Sequence, residues 1–114
     1  MNNTLSNTAH FSIGQIIQHK RFNYRGVIID VDPIFLGTDA WYNDIADSKP
    51  PKDRPWYHVL VDNTDKITYV TEQNLSRSSN IDPIQHPQLD NFFGLFTNGI
   101  YIPLQRHNWA LRLV

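Results

Sequence analysis

The chain has no cysteine at any of its 114 positions. Disulfide frameworks, thiolate nucleophiles and cysteine-ligated zinc are therefore excluded. Glycine is scarce, at five residues, and neither a Gly-rich phosphate loop nor a Gly-x-Ser-x-Gly elbow occurs. No apolar run approaches the about 18 residues of a membrane span, and residues 1–10 carry neither the basic nor the apolar stretch of a leader. The expectation is a soluble, cytoplasmic protein that does not enter a membrane. Charge of one sign is also missing. Ten Lys+Arg stand against 11 Asp+Glu, a formal net charge of -1, whereas a dedicated nucleic-acid binder is usually strongly basic. Any contact to DNA has to come from a local patch.

What is present is a chain with 40% hydrophobic residues and seven prolines, enough apolar material for one compact domain. Residues 1–10 are polar and without period, and read as a disordered terminus. Alternation begins at Phe11 and runs through His19 as a first strand. A polar, basic turn, Lys20 to Gly26, leads to a second strand with Val27, Ile29 and Val31 on one face and Ile28, Asp30 and Asp32 on the other. Pro33 ends or bends it. Residues 34–55 hold no strand pattern, and a connection of this length points to a functional loop. Within it Thr38 is placed to cap a short helix over residues 39–47.

The firmest expectation is a hairpin, with strands at residues 56–62 and 67–71 around the turn Asp62-Asn63-Thr64-Asp65. A single helical turn follows at residues 72–75. Leu89, Phe92, Phe93 and Phe96 fall at helical spacing, and Asn98-Gly99 turns the chain into a short edge strand at residues 100–103. The sum is an all-β fold: a small SH3-like barrel of about five strands over residues 11–77, with a long loop after the second strand. Residues 78–114 form a C-terminal extension, a short helix plus an edge strand, packed on the same domain.

Phe11-Ser12-Ile13-Gly14-Gln15 with His19, then Tyr24-Arg25-Gly26-Val27-Ile28-Ile29-Asp30-Val31-Asp32-Pro33, then Pro55-Trp56-Tyr57-His58-Val59-Leu60-Val61, and finally Thr68-Tyr69-Val70 and Leu75 occur in this order. Together they resemble the HspQ family, also described as YccV-like or hemimethylated-DNA-binding domain proteins. The resemblance covers about two-thirds of the chain and fades beyond Arg77. It implies the SH3-like barrel and a cytoplasmic, bacterial heat-shock protein without catalytic residues. It also implies two activities, assistance to a Lon-type ATP-dependent protease with certain substrates and binding of hemimethylated DNA. A homo-oligomer, guessed to be a trimer, is the quaternary state it suggests.

The residues offer little for catalysis. Asp30 and Asp32 point the same way on a strand, as a hard cation would require, but no third carboxylate follows in a recognisable loop; solvation of the outer face accounts for both. The five histidines, at positions 10, 19, 58, 86 and 107, show no metal-ligand spacing. No metal, cofactor or enzymatic activity is expected.

Basic residues interleaved with aromatics are more suggestive. Lys20, Arg21 and Arg25 flank Phe22 and Tyr24, while Lys49, Lys52 and Arg54 line the long loop. Such a surface can hold phosphates while rings contact sugars or exposed bases. The same residues fit a solvated loop whose charge Asp39, Asp44, Asp47 and Asp53 cancel, and the neutral total weighs toward that alternative. Aromatics are core residues first. Those left exposed make a protein-partner surface, for which Trp41, Tyr42, Trp56, His58 and Trp109 are the candidates.

The expected function is thus non-enzymatic binding: aid to a Lon-type protease and its substrates or, alternatively, binding of hemimethylated DNA through the basic and aromatic loops.

Overall fold

The computed structural model describes residues 8–45 and 49–104. Strands β1 (Ile16–His19), β2 (Arg25–Asp32), β3 (Trp56–Val61), β4 (Ile67–Thr71) and β5 (Leu75–Arg77) form one antiparallel sheet in the order β4-β3-β2-β1-β5. Strands β6 (Phe93–Thr97) and β7 (Ile100–Pro103) form a separate hairpin. Two short helices, α1 (Asp39–Ile45) and α2 (Leu89–Phe92), complete an all-β chain of the expected class. A single 3-10 turn, Glu72–Asn74, connects β4 to β5. Among the described residues no ladder joins those two edge strands, so the rolled sheet stays open there.

Each tight turn has a residue that tolerates a left-handed backbone. Asn23 closes the β1–β2 turn at φ 57°, Asn63 the β3–β4 turn at φ 64°, and Asn98 with Gly99 the β6–β7 turn. Helix α1 begins where Thr38 predicts it, the Trp41 N–H donating to Thr38 Oγ1 at 3.1 Å. The expected residues 46–47 of that helix lie outside the described residues, as do most of the N-terminal segment and the tail from residue 105.

The face assignment expected for β2 is corrected by a bulge. Pairing with β3 runs Ile28↔Val59 and then Asp30↔His58, leaving Ile29 without a partner. One extra residue reverses the alternation. Val27 and Ile29 therefore pack on one side of the sheet, with Ile16 and Leu60, whereas Ile28 and Val31 pack on the other, with Ile17, Tyr57, Val59, Val70 and Leu75. Asp30 stays exposed, and Asp32 becomes half-buried.

The helical spacing at residues 89–96 is corrected as well. Helix α2 ends at Phe92, and Phe93 is already extended at φ -130° and ψ 150°. The aromatic residues beyond it are strand formers, and a partner strand in β7 is within reach. The hairpin turns Phe93 and Tyr101 against Ile16, Val27, Leu60 and Ile84. This second layer is why β3 is buried on both faces rather than alternating. Tyr101 anchors it: its hydroxyl accepts from the Ile84 N–H at 2.8 Å, and its own N–H donates to the Gly14 carbonyl at 2.9 Å. Gly14 sits at φ 92°, where a Cβ would lie 2.0 Å from the Tyr101 carbonyl oxygen, so only glycine fits.

Candidate functional site

The β1–β2 turn projects from the sheet and is held from beneath by His19, which is 4% exposed. Its Nδ1 accepts hydrogen bonds from the backbone N–H groups of Arg21 and Phe22, both at 3.1 Å. Its ring lies 4.8 Å from that of Phe22 and 5.0 Å from that of Tyr24. Burial, with the nearby Arg21 charge second, pushes the imidazole below its usual titration range. The neutral ring is the form that can accept both bonds. The turn therefore presents Phe22, 65% exposed, with the Arg21 guanidinium 5.2 Å above its ring.

Facing it is an aromatic wall. Tyr69 of β4 and Trp56 of β3 have ring centroids 5.2 Å apart, and Trp41 of α1 packs across them at 5.7 and 6.1 Å. Phe35 closes the cluster 4.9 Å from Trp56. The wall is locked by polar contacts: Trp56 Nε1 donates to the Pro51 carbonyl, and the Tyr69 hydroxyl donates to Asp32 Oδ2 at 2.7 Å while accepting from the Leu36 N–H. Burial, reinforced by the Asp32 carboxylate, pushes the Tyr69 phenol up to about 12. His58 Nε2 lies 3.0 Å from the same Asp32 oxygen.

Between turn and wall lies an open groove of about 390 Å³, floored by Thr68 and Asn74. Arg21 is the one charged residue that lines it. A second depression of about 430 Å³ shares Thr71 with the first and carries Lys20 and Arg54 beside Glu72.

The fold thus brings members of both predicted surfaces to one place. Arg21, Phe22 and Tyr24 line the groove opposite Trp41 and Trp56, and Lys20 and Arg54 line the adjoining depression. Lys49 and Lys52 are gathered at the ring of Tyr42, their Nζ atoms 5.5 and 4.3 Å from its centroid. Lys52 also lies 3.4 Å from Asp39. Arg25 is placed elsewhere. Its guanidinium pairs with Asp62 at 3.0 Å and donates to the carbonyls of Asn80 and Asp82, both at 2.9 Å. His58 is engaged with Asp32, away from the groove lining, and Trp109 lies outside the described residues.

Sequence reasoning missed Tyr69, Thr68 and Asn74. The first two carry a usable signal, since the hairpin register sets Tyr69 opposite His58 and Thr68 opposite Val59. The same sheet adds His58 to the Asp30 and Asp32 pair, their ligand atoms within 4.8 Å of one another. These three are the described residues able to surround a cation. As they stand they satisfy each other: Asp32 takes His58 and Tyr69, and Asp30 Oδ1 accepts the Val31 N–H. Among the described residues no helix is long and apolar enough to cross a membrane.

Residues 9–99 match a protein family described as YccV-like, hemimethylated DNA-binding protein YccV like. The match runs past Arg77, where the sequence motifs fade, and takes in α2, β6 and the turn at Gly99.

Proposed function

The chain belongs to the YccV-like family of hemimethylated DNA-binding proteins, and on that premise we propose that it binds DNA methylated on one strand, through the face that carries the groove. The observation that supports this most is the β1–β2 turn. Lys20 and Arg21 are exposed, neither is ion-paired among the described residues, and they flank a largely exposed phenyl ring on a turn that His19 holds rigid. Rigid placement lets each cation meet a phosphate without the entropic cost of ordering a loop. With Arg54 beside Lys20, and the two lysines on Tyr42, the face offers about three to five phosphate contacts.

A methyl group in the major groove is worth about 0.8 kcal/mol, a few-fold preference. The phosphates supply affinity and the methyl supplies a bias. Fluorescence anisotropy with unmethylated, hemimethylated and fully methylated versions of one duplex tests the reading. Binding that is tightest for the hemimethylated duplex, and that weakens in Lys20→Ala/Arg21→Ala, supports it. Equal affinity for all three, unaffected by that double change, removes it.

A second reading, assistance to a Lon-type ATP-dependent protease, draws support from a different surface. Leu95 is 70% exposed, and Ile100 and Ile102 are exposed on the same outward side of the β6–β7 hairpin. Apolar residues grouped in this way suit a protein partner. Weak contacts to substrate and to protease multiply when one molecule bridges both. Degradation of several substrates by purified protease, with and without the protein and its Leu95→Asp variant, decides it. Rates that do not change in any combination exclude the role.

A further inference from the structure

The groove is too small to admit a duplex and well suited to a single planar group. A cleft of about 390 Å³ falls at the small end of small-ligand sites, far below the volume of one turn of double helix. Resting on the DNA reading above, we infer that the groove seats one nucleobase swung out of the bound duplex, stacked between Phe22 and Trp41, with its phosphate against Arg21.

Three observations carry this. The lining is aromatic, with Phe22 and Tyr24 contributed by the turn and Trp41, Trp56 and Tyr69 by the wall. Stacking on such a ring contributes about 1–3 kcal/mol per base, more than a single methyl contact supplies. The charge is complementary to a nucleotide, because Arg21 lines the groove and no acidic residue does. The groove lining also includes Asn74, which is half-buried with its amide open to solvent. The Asn74 side chain makes no hydrogen bond among the described residues, while its backbone carbonyl accepts from the Lys20 N–H and so ties the floor to the basic turn. An asparagine amide offers a donor and an acceptor side by side, the pattern that pairs with an adenine edge.

Extrusion also strengthens the discrimination. A base leaves the stack at a cost of a few kcal/mol that depends on how firmly it is paired and stacked. A methyl on one strand alters that cost on one side of the site only. The groove thus converts a small chemical difference into a difference in how readily a base departs.

The test uses the full chain and a hemimethylated duplex carrying 2-aminopurine, a base whose fluorescence rises on unstacking, at each position of the methylated site in turn. At saturating protein the expected result is a rise of threefold or more at one position. Phe22→Ala at an exposed position and Asn74→Ala at a half-buried one, both checked by thermal melting, reduce that rise at least threefold under saturation. Anisotropy on the same samples separates the two readings. DNA bound with no rise at any position overturns the base pocket and leaves DNA binding standing; no DNA bound at all overturns both. Quenching of the groove tryptophans by an apolar peptide, and by no duplex, gives the groove to a protein ligand and likewise overturns the inference.

Discussion

Arg25 and Asp62 meet at 3.0 Å, with side chains 14% and 12% exposed, where β2 passes the end of β3. The pair is a fastening point as much as a salt bridge. Arg25 holds the carbonyls of Asn80 and Asp82, and Asp62 Oδ1 accepts the Gln85 N–H at 2.7 Å, so one ion pair pins the segment at residues 80–85 to the sheet. Arg25→Ala leaves the Asp62 carboxylate without its cation and the Asp82 carbonyl without its guanidinium donor, and is expected to cost about 2–4 kcal/mol. Urea denaturation measures this, with Lys20→Ala as the neutral comparison. A loss below about 0.5 kcal/mol would falsify the fastening role.

Gly14→Ala is expected to detach β7. The added methyl collides with the Tyr101 carbonyl, at a backbone angle that alanine disfavours. The expected loss is about 2–4 kcal/mol, accompanied by faster hydrogen exchange at the Ile84 and Tyr101 amides. Unchanged exchange at both sites contradicts the account.

His19 makes stability depend on pH. Its folded titration point lies below the unfolded value of 6.5, so below that pH the unfolded chain binds the extra proton more readily. The contribution is complete above about pH 6.5 and is lost as pH falls through the folded value. The melting temperature should drop between about pH 7 and pH 5, and His19→Asn, which keeps an acceptor but does not titrate, should flatten that slope. Equal slopes for the two proteins rule His19 out as the titrating group.

Salt dependence counts phosphates. Lys20→Ala and Arg21→Ala should each reduce the slope of log affinity against log salt by about 0.9. A slope that stays constant while affinity falls means that the change acted through the fold of the turn instead.

Asp32→Ala removes the oxygen shared by His58 and Tyr69. Tyr69 then loses its acceptor at the back of the groove wall, at an expected cost of about 1–3 kcal/mol. Near-ultraviolet circular dichroism of the aromatic cluster should weaken in parallel, and an unaltered spectrum would show that the wall stands without Asp32.

Local patterns made much of this fold legible. The hairpin around Asp62–Asp65, the Thr38 cap and the edge strand at Ile100–Pro103 follow from composition and period alone. The bulge at Ile29 was not readable, because two consecutive isoleucines fit either register and only pairing with β3 selects one. Strand β6 was hidden because Phe92, Phe93 and Phe96 satisfy helical spacing equally well, and the choice is made by a partner strand later in the chain. For the candidate site, the basic and aromatic residues were visible as types. Which of them point together was not, since Arg21 comes from the β1–β2 turn and Trp41 from α1, and Arg25 is drawn off by Asp62.

The Tyr101 layer has a consequence for how the chain can be divided. Cutting after Arg77 would strip Ile84, Phe93 and Tyr101 away together and leave Ile16, Val27 and Leu60 facing water. A fragment with such a sticky flank would clump with its own copies rather than behave as a minimal module. The segment after the open sheet is therefore half of a clasp, and the two halves should melt in a single transition.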